Sequence, residues 1–414
     1  MSKNNLFSIL KKEVARIDNI RTSKRFEKII EGFSKEKSPK AIINKKKYFI
    51  FNSNDYLGLR HHPLLKKAEH QATEKFGTGP GAVRFISGSL KVRRDLEKVL
   101  AKFHKKDDAM VFSSSFAANL AVLFCLIAGQ NKDSLVDSNV IVISDALNHR
   151  SIIDGIRVAN LPKEQRAIFA HMDPSHLEAV LKANKKIYKR ALVVTDGVFS
   201  MLGEYQKLKE ISKIVDKYDK EFENGVLLVV DDAHGVGITG KTGRGIEEVE
   251  SVQTDVLIGT FGKAFGSDGG YVVANQTIID YLRESAATYI YSNSIPPGTA
   301  AAALKSIELL DKQEGKKLLK NSKENIAYFK KRMKTAGFLF AADSSHPIQP
   351  ILIGEPLKTN ALVNKLFKKN IIVTNISYPV VPKGRDEIRV QISAVHTKGD
   401  IDQLVKAFEE EKIF

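Results

Sequence analysis

The chain has 414 residues, of which 43% are hydrophobic and 27% are charged. This composition is typical of a folded protein with a sizeable core, and no apolar run reaches the roughly 20 residues of a membrane span. The amino terminus lacks an apolar segment of the secretory type, so we expect a cytoplasmic protein without a membrane span. The single cysteine, Cys125, excludes an internal disulfide and a multi-cysteine metal site.

The formal net charge is +17, and over half of the excess lies in residues 1–50, which hold 14 basic and 5 acidic residues. The lysine-rich stretches lack the interleaved aromatic residues and the recognisable modules of nucleic-acid-binding proteins. A solvated surface is therefore favoured, and we predict no nucleic-acid partner. A polyanionic small molecule remains compatible with this charge.

Residues 1–45 are predicted to form an amphipathic helical arm. From about residue 90 to 300, short apolar runs that end in polar or small residues alternate with helical segments, a pattern that predicts a mainly parallel sheet covered on both faces. The runs are AMVFSS, NVIVISD, RALVVTDG, GVLLVVDDAHG and DVLIGTFG. We assign residues 46–304 to this large α/β domain.

The pattern changes after Pro296 and Pro297, which signal the start of a long helix. Three strand-like runs follow, IQPILIG, IIVTNISYPVVP and IRVQISAV, with helices between or after them. We predict a smaller α+β domain over residues 305–414.

Chemically active side chains follow two of the strands in the large domain. Asp231 and His234 follow GVLLVVD, and Lys263 follows a run that ends at Thr260. A lysine among glycines and other small residues can be partly desolvated, which lowers its pKa and makes it a nucleophile and base. Taken singly, a capping aspartate, a structural histidine and a solvent-facing lysine are equally ordinary interpretations.

Further strand ends add to this set. His149 lies in SDALNHRSIIDG and Ser200 in TDGVFSMLG, while VFSSSFAAN places Ser115 and Phe116 where a helix N-terminus can bind phosphate. Because ligands gather at the carboxyl ends of parallel strands, these groups are expected at one edge of the sheet. An amine, a carboxylate, two imidazoles and a phosphate cradle can together hold pyridoxal phosphate as an imine. The histidines show no metal-ligand spacing, so no metal is predicted.

The sequence resembles the α-oxoamine synthases, a family of pyridoxal-phosphate enzymes of fold type I. The resemblance covers about residues 50–400 in family order and is closest to the members that act on glycine and acetyl-CoA. It implies a mainly parallel seven-stranded sheet in the large domain. The matching stretches are FNSNDYLGL, VRFISGS, SDALNHRSIIDGIR, TDGVFSM, VVDDAHGVG, GTFGKAFG, YSNSIPP and YPVVPKGRDEIRVQISAVHT.

The resemblance implies a role for each residue that flanks the cofactor ring. Lys263 would carry pyridoxal 5′-phosphate as an imine and, once displaced, remove the α-proton of the substrate. Asp231 would pair with the pyridinium nitrogen, and His149 would stack over the ring, contact the substrate and act as an acid. His234 would hydrogen-bond the phenolic oxygen, with Ser200 nearby.

The resemblance also assigns residues to the phosphate group of the cofactor. Ser115, Phe116 and Thr260 would hold the phosphate, joined by Ser292 and Asn293 from a partner subunit. The resemblance therefore implies a homodimer with shared active sites.

The resemblance assigns the substrate carboxylate to Arg389, assisted by Asn54. A bidentate guanidinium clamp would orient the amino acid so that its α-proton can be removed. The alternative for this arginine is an ion pair with Asp386 or Glu387 in its own strand.

The implied reaction condenses glycine with acetyl-CoA to give 2-amino-3-oxobutanoate and free coenzyme A, or cleaves that product in threonine degradation. Members that use alanine or serine with longer acyl chains are the nearest alternative, followed by an aminotransferase and by a catalytically silent subunit. Leu202 replaces an acidic residue usual in the family, which leaves the hydrogen bonding near Ser200 open. The sequence leaves open the acyl chain, the amino acid, the direction and the role of the basic arm.

Overall fold

The computed structural model describes residues 3–19, 23–131, 133–378 and 380–412. The helices are α1 (Lys3–Asn19), α2 (Pro63–Phe76), α3 (Arg84–Ser87), α4 (Lys91–His104), α5 (Ser115–Ala128), α6 (Arg150–Val158), α7 (Pro174–Asn184), α8 (Leu208–Asp219), α9 (Ile246–Glu250), α10 (Gln276–Ser285), α11 (Ala287–Ile290), α12 (Pro297–Leu310), α13 (Gln313–Thr335), α14 (Pro356–Lys368) and α15 (Lys398–Glu410). The strands are β1 (Gly32–Phe33), β2 (Ala41–Ile43), β3 (Lys46–Ile50), β4 (Asp108–Phe112), β5 (Val140–Asp145), β6 (Arg166–Phe169), β7 (Arg190–Asp196), β8 (Val226–Asp231), β9 (Val256–Thr260), β10 (Gly270–Ala274), β11 (Ile348–Leu352), β12 (Ile371–Ile372), β13 (Thr374–Ile376) and β14 (Glu387–Gln391).

The central sheet has seven strands in the order β4-β10-β9-β8-β7-β5-β6. Strand β10 runs antiparallel to both of its neighbours, and the pairings from β9 to β6 are parallel. The predicted α/β fold with a seven-stranded, mainly parallel sheet is therefore confirmed. The five apolar runs of the sequence form β4, β5, β7, β8 and β9.

Separate apolar clusters cover the two faces of this sheet. On one face the sheet packs against α5, a nearly all-apolar helix that buries Cys125. On the other face it packs against residues of α2, α4, α8 and α12. Burial on both faces explains why the strands are continuous apolar runs in the sequence, without alternation of apolar and polar residues.

A three-stranded antiparallel sheet, β11-β14-β13, forms in the carboxyl-terminal part of the chain. Its apolar side packs against a cluster that includes Phe329 of α13, Leu362 of α14 and Leu404 of α15. Helix α12 begins at Pro297 and continues to Leu310, so the predicted boundary between residues 304 and 305 falls inside a helix. The division into domains stays a prediction.

The predicted helical arm needs a correction. Among its described residues, the span 1–45 is helical only over Lys3–Asn19, and it also contains β1 and β2. Strand β1 pairs with β2, and β2 pairs with β3, which runs parallel to β12 from the carboxyl-terminal part of the chain. Runs as short as AII, followed by NKKKYFI, have too little periodicity to predict this sheet from sequence.

No helix in the described part of the chain combines the length and the apolar character that a membrane crossing needs.

Candidate active site

The carboxyl ends of the central strands open onto one small cavity. In the parallel pairing of β7 with β8, the strand-ending residues Asp196 and Asp231 lie side by side. The empty space of this cavity, including the part that is open to solvent, is about 280 Å³. It is lined by Ser115, His149, Asp196, Val198, Ser200, Asp231, Ala233, His234 and Lys263. Six of the residues predicted from the sequence therefore come together, namely Ser115, His149, Ser200, Asp231, His234 and Lys263.

The amine of Lys263 makes no hydrogen bond or ion pair with any described residue. Removal from water lowers its pKa to about 8, although the carboxylates of Asp231, Asp196 and Asp232 oppose this shift. Its backbone lies in a tight loop after β9, where the carbonyl of Lys263 accepts the N–H of Gly266 at 3.0 Å. A buried amine that titrates near neutrality can act as both nucleophile and base.

Asp231 is fixed by two donors. Its Oδ1 accepts the N–H of Ala233 at 3.0 Å, and its Oδ2 accepts Nδ2 of Asn119 at 2.6 Å. Asn119 is fully buried on α5 and was not predicted from the sequence. A single amide within the apolar stretch NLAVLFCLIA was the available signal, because buried polar residues usually have a partner.

Asp196 is a second carboxyl group that sequence reasoning missed. Burial raises its pKa well above the usual range, and the neighbouring charge of Asp231 raises it further. Its Oδ2 accepts the backbone N–H of His149 at 3.0 Å. Neighbouring carboxyl groups disfavour double ionisation, which is why Asp231 adds to the effect of burial on Asp196.

His234 belongs to a polar chain that crosses between the sheets. Its Nδ1 lies 2.8 Å from the hydroxyl of Tyr56, which donates to Oδ1 of Asn54 at 3.2 Å. The same Oδ1 accepts Nε2 of Gln391 from β14 at 2.6 Å. Asn54, predicted as a substrate contact, is therefore tied to His234 through Tyr56, which the sequence did not single out.

The start of α5 provides a cradle for an anion. Ser114 caps the helix by accepting the N–H of Ala117 at 3.1 Å, and the first-turn N–H groups at Ser115 and Phe116 have no intrahelical partner. A Cβ atom at Gly270 would lie 2.1 Å from the nitrogen of Ser115, so only glycine permits this approach of β10. A helix N-terminus of this kind favours phosphate.

Thr260 occupies the end of β9, but its hydroxyl already has partners. It donates to the carbonyl of Gly269 at 2.9 Å and accepts the N–H of Gly262 at 3.2 Å. It holds the loop that carries Lys263, and only a remaining lone pair is available to another donor. Its predicted phosphate contact stays a prediction.

Ser292 and Asn293 do not line the cavity in the described chain. They lie between α11 and α12, where Asn293 is exposed. Their assignment to a partner subunit's site stays a prediction.

The loop that carries Ser200 is anchored by an acidic residue at another position than the one usual in the family, where this chain has Leu202. Leu202 is half-buried, and Glu204, two residues later, lies 3.3 Å from Nε2 of His171. The Nδ1 of His171 lies 2.9 Å from Asp145. Burial lowers the pKa of His171, but its hydrogen bonds with Asp145 and Glu204 outweigh burial and raise the pKa to about 9.

Arg389 lies in the middle of β14 and forms no ion pair with Asp386 or Glu387, the alternative partners in its own strand. Its Nε is buried without a hydrogen-bond partner among the described residues. Burial lowers its pKa, whereas nearby Tyr56 raises it. A desolvated guanidinium with an unused N–H is suited to bind a carboxylate.

Glu387 is fully buried, and neither of its carboxyl oxygens has a hydrogen-bond partner in the described part of the chain. Burial raises its pKa to about 8, although Arg389 and Arg385 oppose this. Because the native state holds this proton while the unfolded chain releases it near its ordinary pKa, native stability should fall as the pH rises towards and through 8.

We therefore expect Glu387→Gln to be more stable than the native protein at about pH 9, by about 2–4 kcal/mol, and similar to it at about pH 4. Urea unfolding at several pH values measures this difference. Glu324→Gln, an exposed change on α13, is the matched control and should leave the pH dependence unaltered. Parallel stability curves for Glu387→Gln and the native protein would contradict the expectation.

The residues at this site fit pyridoxal phosphate. Three features meet at one cavity. They are the anion cradle at Ser115, the carboxyl group of Asp231 held by two hydrogen-bond donors, and the amine of Lys263, which has no partner among the described residues. The described residues contain no group of three or more His, Cys, Asp or Glu side chains that could hold a metal ion.

The comparisons with known proteins agree with this geometry. The family model for class I and II aminotransferases matches residues 46–408. The chain is 39% identical to 8-amino-7-oxononanoate synthase from Thermoanaerobacter pseudethanolicus, over 90% of this chain and 89% of that protein. It is 38% identical to the mitochondrial 2-amino-3-ketobutyrate coenzyme A ligase of Bos taurus, over 90% of this chain and 83% of that protein.

Solved structures of serine palmitoyltransferase share the fold. The enzyme from Sphingomonas wittichii has a TM-score of 0.86 at 25% identity, over 99% of this chain and 98% of that chain. A structure described as SPT with a PLP internal aldimine has a TM-score of 0.86 at 27% identity, over the same shares of both chains. The chain therefore belongs to the class I and II aminotransferase family, in its α-oxoamine synthase branch of pyridoxal-phosphate enzymes of fold type I.

Proposed function

We propose that this α-oxoamine synthase is a glycine C-acetyltransferase, which condenses glycine with acetyl-CoA to 2-amino-3-oxobutanoate and coenzyme A or catalyses the reverse cleavage in threonine degradation. The observation that carries acyl-transfer chemistry is the meeting of Lys263, Asp231 and His149 at one cavity. The bovine ligase, at 38% identity, supports the choice of glycine C-acetyltransferase.

The bound cofactor supplies an electron sink for the carbanion that glycine forms. Lys263 takes the α-proton, for which its pKa of about 8 is suited near neutral pH. Arg389 holds the substrate carboxylate so that the α-proton faces this amine. His149 donates a hydrogen bond to the thioester carbonyl oxygen as charge develops there.

A second candidate is 8-amino-7-oxononanoate synthase, the name carried by relatives that are 39% and 40% identical to this chain. A serine palmitoyltransferase-like activity is the corresponding candidate from the structural neighbours. These alternatives differ in the amino acid and the length of the acyl chain, and the two percentages of sequence identity are too close to choose between them.

Release of free thiol from coenzyme A tests the choice. The purified protein with pyridoxal phosphate is assayed with glycine, alanine, serine and threonine against short and long acyl-CoAs. The proposal expects the highest kcat/KM for glycine with acetyl-CoA. A preference for alanine or serine with a long acyl-CoA would assign the chain to one of the alternatives instead.

The state of the cofactor distinguishes two other functions from acyl transfer. An aminotransferase would leave the cofactor as its amine after glycine alone, whereas an acyltransferase needs acetyl-CoA to turn over. A catalytically silent subunit would not be labelled at Lys263 by borohydride reduction. Labelling of the peptide that contains Lys263, together with thiol release, supports the acyltransferase.

The proposed enzyme is a homodimer with shared active sites. An exposed apolar patch supports this, since Phe85, Ile86 and Tyr291 are 65%, 68% and 70% exposed. The rings of Phe85 and Tyr291 are in contact, with centroids 6.2 Å apart, and the patch adjoins Ser292 and Asn293. Light scattering of the purified protein should give the mass of two chains, and a monomer at micromolar concentration would contradict the proposal.

Arg389→Lys tests the proposed carboxylate clamp. Lysine keeps the charge but loses the two parallel N–H groups, so we expect KM for the amino acid to rise about 10- to 100-fold. The KM for the acyl-CoA should change little. Arg385→Lys, an exposed change in the same segment, is the matched control. An equal rise in both KM values for Arg389→Lys would argue against a role in the clamp.

A further inference from the structure

The ring of His149 is held by the start of α6. This histidine is the N-cap residue of the helix, and its Nδ1 accepts the backbone N–H of Ser151 at 3.3 Å. The hydroxyl oxygen of Ser151 lies 2.7 Å from the same nitrogen. The side chain is therefore fixed through Nδ1, while Nε2 has no hydrogen-bond partner among the described residues.

Asn119 joins this serine to the carboxylate of Asp231. Its Nδ2 donates to Oδ2 of Asp231 at 2.6 Å and to Oγ of Ser151 at 2.9 Å. A carboxylate can only accept hydrogen bonds, so the NH2 group of Asn119, and not its oxygen, must face Asp231. Asn119 and Ser151 are both buried, with exposed fractions of 0% and 1%, which leaves water no role in setting their orientation.

These contacts determine where the proton of His149 lies. Because Oγ of Ser151 accepts from Asn119, the serine proton is free to point at Nδ1 of His149. Two donors then face Nδ1, so this nitrogen is an acceptor and the proton of the neutral ring lies on Nε2. Burial lowers the pKa of His149 and the cation of Lys263 lowers it further, against the opposing effect of Asp231.

We propose that Ser151 and Asn119 are positioning residues that hold His149 in the neutral tautomer with the proton on Nε2, where it serves the carbonyl oxygen of the acyl donor. This inference rests on the proposed acyl-transfer function. The chain from Asp231 through Asn119 and Ser151 also links the two groups assigned to the cofactor ring. The carboxylate that would hold the ring nitrogen of the cofactor would thereby also set the donor state of His149.

Nitrogen-15 NMR of labelled histidine in the cofactor-free protein tests the tautomer directly. Comparison with His149→Asn identifies the signals of this residue. The variant Ser151→Ala removes the hydroxyl, and Ser151→Thr retains it. Ser306→Ala is the matched control, because Ser306 is also a fully buried helical serine but donates only to the carbonyl of Ala303.

In the native protein we expect an unprotonated Nδ1 and a protonated Nε2. Ser151→Ala should mix the two tautomers and raise the pKa of His149, because the neutral ring loses a donor to Nδ1. With the loaded enzyme, kcat should fall about 10- to 100-fold. Ser151→Thr should restore the native tautomer and most of the activity, and Ser306→Ala should alter neither.

A native protein with the proton on Nδ1 would overturn the inference without any variant, so the test does not depend on whether Ser151→Ala folds. An unchanged tautomer and pKa in folded Ser151→Ala would also overturn it. The NMR measurement needs neither cofactor nor substrate. A chain with the expected tautomer but no thiol release would therefore remove the proposed function and leave the hydrogen-bond relay in place.

Discussion

Replacing Lys263 with methionine should abolish activity and stabilise the cofactor-free protein. Methionine retains most of the length and volume of lysine but can act neither as nucleophile nor as base. We expect kcat to fall at least about 1,000-fold in the thiol-release assay. The size of this loss reflects the single amine that reaches the cavity and has no substitute among the residues that line it.

The gain in stability follows from the titration of the amine. Its pKa is about 8 in the native state, below the ordinary value of 10.5, so the native state binds this proton less tightly than the unfolded chain does. The native protein therefore carries a penalty that is complete below pH 8 and vanishes as the pH rises above 10.5. At neutral pH, Lys263→Met should be more stable by about 2–3 kcal/mol, measured by urea unfolding.

Lys106→Met is the matched control for this experiment. Lys106 is also buried, but its amine lies 2.9 Å from Glu247 and bonds the carbonyl of Thr254. Its removal leaves the buried carboxylate of Glu247 without its cation, so this variant should lose stability and keep its kcat. A less stable Lys263→Met, or one that retains a tenth of the native kcat, would contradict the assignment of Lys263.

The sequence could predict the elements that depend on local patterns, but not those that depend on contacts between distant parts of the chain. The five strands found from apolar runs are buried on both faces, so their signal is local. Strand β6 alternates between exposed and buried residues at the sheet edge, and β10 is a short run after two glycines; neither was predicted. The sheet of β1, β2, β3 and β12 joins residues over 300 positions apart and leaves no local pattern.

The residues of the site can also be divided into those with a local signal in the sequence and those without one. Lys263, Asp231 and His149 could be predicted because each follows an apolar strand and matches a family motif. Asn119 and Tyr56 could not, since their partners lie 112 and 178 residues away in the sequence. An amide in an apolar helix or a tyrosine in a loop has many possible partners, and only the folded chain selects one.

Replacing Asp231 with asparagine should cause the second large loss of activity. Its two carboxyl oxygens accept hydrogen bonds from Asn119 and from the backbone of Ala233, and the side chain lines the cavity beside Lys263. An asparagine has one acceptor oxygen, so its NH2 group must face one of these donors or the cavity. It cannot stabilise a protonated ring nitrogen, and we expect kcat to fall about 100- to 1,000-fold.

Asp232→Asn is the control, one residue away. Asp232 does not line the cavity, and burial raises its pKa well above the usual range. Its Oδ2 accepts the N–H of Ile246 at 2.7 Å, a bond that an asparagine oxygen can keep. Asp232→Asn should therefore retain kcat within about threefold, since it replaces a side chain outside the cavity by one of similar shape that can keep the same hydrogen bond. If the two variants lost activity equally, the loss would come from the local structure after β8, and Asp231 would have no separate role at the ring nitrogen.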